Sequence, residues 1–272
     1  MIDLLAITNS PETAVRLDAI HGMRVFVDLE RNGKAERQAG RNTFISSHTI
    51  GDIGRVKAVL KHARLMVRIN PYQSDDEATC RAEIEAVLAQ GADMLMLPMF
   101  KTAGELQAFS RLVHGRVPIV ALLETSGALE SLQDWIDTPG LFEVFVGLND
   151  LHLSLGCRFM FEPLAEGHVD HVALAAKAQG LRFGFGGIAR LDEGALPGRD
   201  VLAEHVRLGS SAVILSRTFF STDTLEAAEK AIGELRSCEL ALAQRSRIEM
   251  SQDQTRIAAL IHRVAGEVGA AR

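Results

Sequence analysis

The stretch Ile119–Gly156, IVALLETSGALESLQDWIDTPGLFEVFVGLNDLHLSLG, decides the fold. Its two apolar, β-branched-rich runs, PIVALLE and VFVGLND, each have the length and composition of a strand. Between them Ser126–Thr138 has helical spacing, with Leu129, Leu132, Trp135 and Ile136 on one side. A strand, a helix and a second strand in that order make the two strands parallel and near neighbours. Glu124 and Asp150 then stand at corresponding carboxyl ends of adjacent parallel strands. Two carboxylates facing one crevice repel each other unless something positive sits between them, and a hard divalent cation meets that need. A carboxylate at such an end also serves as a helix cap or closes an Asx turn, and spacing alone leaves both readings of Glu124 and Asp150 open.

Working outward, strand-like runs recur at Leu4–Thr8, Arg24–Leu29, Leu65–Ile69, Met94–Pro98, Ile119–Leu123, Val144–Leu148, Leu181–Phe185 and Ala212–Ser216. Amphipathic helical patterns fill most gaps, at Pro11–Ile20, Asp75–Gln90, Thr102–His114 and Glu166–Gln179. Eight alternations in 272 residues predict an α/β fold of the (β/α)8 TIM barrel type, with a doubly wound open sheet as the alternative. Two helical patterns follow, Leu225–Gln244 and Ser251–Val268. The second is surplus to a barrel, so the expected organisation is a barrel domain over residues 1–248 and a helical extension over 249–272. Ile257, Leu260, Ile261 and Val264 give that extension an apolar side expected to meet another subunit of a homo-oligomer, a trimer or hexamer.

Composition excludes several classes of function. The formal charge is −6, and the basic residues are scattered among acids without aromatic interleaving, which argues against nucleic acid as a partner. No apolar run approaches the length of a bilayer span, and the first residues, MIDLLAITNSPETAVR, lack a basic region followed by an apolar one. Cys80, Cys157 and Cys238 lie far apart with no CxxC pair. A soluble, unprocessed protein of the reducing cytoplasm is expected.

At the carboxyl ends of the expected strands stand Asp28 and Glu30, Arg68 and Asn70, Glu124, and Asn149 and Asp150. Two carboxylates for a cation and one permanently charged guanidinium suit an enzyme that holds a 2-oxo acid and stabilises its enolate. The sequence at these positions resembles the HpcH/HpaI aldolase and citrate lyase beta-subunit family, within the pyruvate kinase/phosphoenolpyruvate-like barrels. The matching stretches are VFVDLE (Val25–Glu30), VRIN (Val67–Asn70), GADMLMLPMFKTAGEL (Gly91–Leu106), LLETSGAL (Leu122–Leu129) and FVGLNDLHLSLG (Phe145–Gly156). The resemblance implies Mg2+, or Mn2+ or Co2+, bound by Glu124 and Asp150, with Arg68 on the substrate carbonyl oxygen. It implies substrate carboxylate binding around Asn149 and Asp150, and Asp28 and Glu30 bonded to Arg68 or to metal-bound water. It implies a carbon–carbon lyase cleaving or forming a bond next to a pyruvate-like 2-oxo or hydroxy acid. An acyl-CoA lyase, or a barrel that keeps the metal site without catalysis, is the alternative.

There are departures from the family pattern. Where many of the aldolases carry a proton-transferring His after the second acidic residue, this chain has Arg31, and the sixth-strand turn has Leu148 in place of Pro. His48, in the long polar segment Arg31–Thr49, is expected to supply the missing base, the other reading being a solvated His beside residues that cap a helix near Gly51. Arg31, Lys34, Arg37 and Arg41 are the basic residues available to a CoA entrance. Three further motifs are set aside. His168 and His171 lack a third ligand, the GxGxxA run Gly184–Ala189 lacks a convincing following helix, and Lys101, which would need a buried amine in an apolar pocket for Schiff-base chemistry, is expected to be solvated or to contact an anion because Thr102 starts a helix beside it and a metal pair is already in view.

Overall fold

The structure, a computed structural model, describes residues 1–32, 46–220 and 225–270. Eight strands, β1 (Asp3–Ile7), β2 (Met23–Asp28), β3 (Arg64–Arg68), β4 (Met94–Leu97), β5 (Ile119–Leu123), β6 (Leu141–Val146), β7 (Arg182–Ile188) and β8 (Ala212–Leu215), close into a barrel in chain order. Closure excludes the open doubly wound sheet. The strands are short and buried on both faces, one toward the barrel interior and the other under helices. By contacts the chain divides into two compact units, Leu5–Val144, and Met1–Leu4 with Phe145–Arg272.

In the Leu5–Val144 unit the local chemistry explains the helix starts. Ser10 caps the helix Pro11–Asp18 by accepting the Thr13 N–H, and Pro11 fills the first helical position, where no donor is needed. The helix Glu77–Ala89 ends as expected, with Gly91 in the left-handed region at φ 88°. The single helix expected over Ser126–Thr138 is two short ones, Ser126–Glu130 and Leu132–Trp135, because Ser131 leaves the helical conformation. The Trp135 indole N–H donates to the Ala128 carbonyl across the break at 2.8 Å.

Arg24 and Glu143 sit near the amino ends of β2 and β6, four strands apart in the closed order, and their buried side chains form a bidentate ion pair at 2.8 and 3.0 Å. Alternation puts Arg24, Phe26 and Asp28 on the same face of β2. The ion pair, the Phe26 ring and the Asp28 carboxylate are therefore successive levels from the floor to the carboxyl end.

In the other unit β6 stops at Val146 and Leu148 opens the helix Leu148–Ser154, so Leu148 belongs to the helix and not to the strand expected there. The reason is Gly147, whose backbone (φ −84°, ψ 84°) turns the chain inside an uninterrupted apolar run. β7 runs on to Ile188, which puts the Gly184–Gly187 run inside a barrel strand and not in a strand-to-helix phosphate loop. A Cβ at Gly184 would lie 2.6 Å from the Ala212 carbonyl oxygen and 2.7 Å from the Phe145 ring, so glycine is required by packing.

The C-terminal helix Arg247–Ala270 corrects the expectation for two residues of its apolar side, Ile257 and Ile261. Ile257, Ile261 and Ala265 are already buried within the chain, and the helix packs on Glu162–Ala165 and Gly198–Leu208. Arg256 holds Asp200 with two bonds at 2.6 and 3.1 Å. Those isoleucines need no second subunit to cover them; Leu260 and Val264 stay half-buried.

The helix Gly198–Leu208 buries His205 completely. The ring stacks on Phe185 at 3.7 Å between centroids, and Nδ1 pairs with Ser210 Oγ at 2.8 Å. Nε2 has no partner among the described residues. Burial pushes the imidazole down from 6.5 to about 3. The unfolded ring takes up a proton as pH falls through 6.5, whereas the folded one does not until near 3. The stability associated with neutral burial is therefore complete above 6.5 and drains away below it. At a pH two units below the ordinary value the loss is about 3 kcal/mol. Urea unfolding at pH 7 and near pH 4.5 should show this loss reduced in His205→Phe; an equal acid loss in both proteins would contradict it. No helix among the described residues is long and apolar enough to cross a membrane.

Candidate active site

β2 and β3 pair in parallel with Asp28 opposite Arg68, so both side chains leave the same face at the carboxyl end. Arg68 Nε donates to Asp28 Oδ1 at 2.9 Å and Nη2 to Oδ2 at 2.8 Å, while Nη1 lies 3.3 Å from Glu30 Oε2. The Glu30 N–H donates to Asp28 Oδ1, and the Phe26 ring lies beneath the guanidinium at 5.6 Å. Burial alone would push Arg68 toward losing its proton. Asp28, then Glu30 and Glu124, override this and hold it above its ordinary value. The side chain keeps 14% exposure, against 5% and 2% for those of Asp28 and Glu30. A guanidinium has five N–H groups, and at least two of them have no partner among the described residues.

Glu124 follows β5 and is buried. Thr125 caps the next helix, its Oγ1 accepting the Ala128 N–H at 3.1 Å. Glu124 Oε1 accepts the Met99 N–H at 3.0 Å. Met99 is held in the left-handed region at φ 57°, a conformation costly for a residue with a Cβ. No sequence signal marks Met99, and its strain became visible only in the structure.

His48 is buried, which excludes the solvated reading, and its Nδ1 accepts the Asp28 N–H at 3.1 Å. Thr49 caps the helix Ile50–Lys57 in a capping box with Asp52. Asn70 Oδ1 accepts the N–H groups of Arg31 and Asn32, and its amide donates to Glu83, a residue that no motif singles out. Burial pushes the Glu83 carboxyl up, and the Asn70 bonds offset part of the rise. His48, Arg31, Asn70 and Glu83 line a cavity of about 430 Å³.

Asn149 and Asp150 occupy the first turn of Leu148–Ser154, both half-buried. Lys101 is exposed. No group of three or more His, Cys, Asp or Glu side chains is placed to hold a metal among the described residues. Lys34, Arg37 and Arg41 lie outside the described residues.

The HpcH/HpaI aldolase/citrate lyase family profile matches residues 24–185, more than half of the chain. The chain belongs to that family. Its fold is that of solved members: an HpcH/HpaI aldolase/citrate lyase family protein from Burkholderia cenocepacia is 17% identical with a TM-score of 0.63, covering 86% of this chain and 94% of that one. A citrate lyase beta subunit from M. tuberculosis, complexed with oxaloacetate and magnesium, is 19% identical with a TM-score of 0.57, covering 85% and 96%. Among curated proteins, a (3S)-malyl-CoA thioesterase from Cereibacter sphaeroides is 31% identical over 121 residues. That match takes in 44% of this chain and 41% of the relative's length. HpcH/HpaI membership accounts for the barrel.

Proposed function

We propose that this protein is a divalent-metal-dependent carbon–carbon lyase of the aldolase type, acting next to a pyruvate-like 2-oxo acid through its enolate. The observation that carries this reading is the Arg68 guanidinium, clamped by Asp28 and Glu30 at the carboxyl end of β3 with N–H groups left over for substrate. A donor fixed before the reaction costs no reorganisation when charge develops on the facing oxygen. Arg68 keeps its proton throughout, so it offers a permanent charge and not a proton.

Glu124 and Asp150 are the residues proposed to hold the cation. A buried carboxylate beside a strained backbone turn and a second one in a helical first turn are hard oxygen donors, for which Mg2+ or Mn2+ is the matching class. When bound, such an ion supplies Lewis acidity to the substrate oxygens. Asn149 and Asp150 are proposed to receive the substrate carboxylate through their backbone N–H groups. A second reading, action on an acyl-CoA thioester, is favoured by the similarity to the (3S)-malyl-CoA thioesterase. A mass-spectrometric screen with pyruvate, oxaloacetate and acyl-CoA thioesters separates the two.

The metal assignment is tested by calorimetry with Mn2+. Glu124→Gln and Asp150→Asn should each weaken binding by at least about tenfold while the barrel stays folded. Affinity unchanged in both variants removes the assignment.

A further inference from the structure

We infer that His48 is a positioning residue and not the base: it accepts the Asp28 N–H and so fixes the carboxylate that aims Arg68. The role assigned to Arg68 rests on the function proposed above; the hydrogen bond does not. His48 is held on three sides. Its ring Nδ1 accepts the Asp28 N–H at 3.1 Å, its own N–H donates to Ser46 Oγ at 3.1 Å, and its carbonyl accepts Arg31 Nη2 at 2.8 Å. A neutral imidazole has one ring lone pair. Here it is committed at Nδ1, because a backbone N–H can only donate, so the proton sits on Nε2. Acting as a base from Nε2 would require the other tautomer, with two N–H groups facing each other and a buried backbone donor left without an acceptor.

The consequence reaches Arg68 in two steps. Asp28 is the last residue of β2, and its carboxylate takes both Nε and Nη2 of Arg68. A shift of the Asp28 backbone therefore moves the guanidinium. Arg31, standing where many family members carry a His, holds the backbone of the residue that holds Asp28. This departure from the family pattern is thus part of the same support.

Asparagine can place its side-chain oxygen where His48 has Nδ1, and this separates the two roles. In an assay of pyruvate methyl-proton exchange with Mg2+-loaded protein, His48→Asn should stay within about threefold of wild type with an unshifted pH profile. His48→Leu should lose roughly 10- to 100-fold in turnover with little change in KM, the size of effect a misplaced group produces. Loss of about 10²- to 10⁴-fold in His48→Asn, as for a missing base, overturns the inference. Long-range nitrogen–proton NMR correlations on [15N]histidine-labelled protein, with the His48 ring assigned by its absence in His48→Asn, read the tautomer without any assay. A neutral ring protonated at Nε2 is expected, and a proton at Nδ1 overturns the inference even if His48→Leu does not fold. Should wild type fail to exchange pyruvate protons, the proposed function falls, and the NMR result alone decides the role of His48.

Discussion

Arg68→Lys should reduce turnover by about 10²- to 10³-fold, the usual consequence of losing a preorganised donor to a developing negative charge. An ammonium keeps the charge but not the plane. Arg68 meets both oxygens of Asp28 with a fork of two donors and still has N–H groups for another partner, whereas a lysine cannot hold Asp28 in two places and face the substrate as well. Its shorter reach should also leave Glu30 without its cation. The expected signature is a fall in kcat and kcat/KM together, since the missing contact belongs to the transition state. Steady-state oxaloacetate decarboxylation or aldol cleavage measures this. Turnover at the wild-type level in Arg68→Lys would mean that the guanidinium serves only to neutralise Asp28 and Glu30.

The barrel was legible in the sequence because its strands are short, apolar and separated by helical patterns. β2 through β5 lie within about a residue of their expected positions, as local periodicity carries them. Among the strands, the differences arise at glycines. Gly147 turns the chain inside an apolar run, so Leu148 read as strand; Gly184 lies against Phe145, a neighbour that no local pattern reveals. At the candidate site, strand-end position was enough to single out Asp28, Glu30, Arg68 and Glu124. The resemblance implied that Asp28 and Glu30 bond Arg68, as they do, but the residue pattern alone could not show the pairing, because it depends on the β2–β3 register. His48 illustrates the limit: a polar segment without periodicity gives no sign that its histidine is buried and accepts a backbone N–H from β2.

The Arg24–Glu143 pair is the clearest long-range feature that periodicity could not show, its members being 119 residues apart in the chain. Both side chains are essentially excluded from water, at 4% and 0% exposure. In such a place the attraction of the pair offsets the loss of hydration, so the intact pair adds little net stability, but either charge left alone is strongly unfavourable. Arg24→Met and Glu143→Gln should therefore each lower the unfolding free energy by about 3–5 kcal/mol. The double variant Arg24→Met/Glu143→Met should recover most of that loss, because two apolar groups of similar volume need no hydration and can pack beside Met66, whose sulfur lies 4.0 Å from Arg24 Nη1. Denaturant unfolding of the four proteins closes a double-mutant cycle. Additive losses in the double variant would show that the two charges are independently solvated and do not form the barrel's floor.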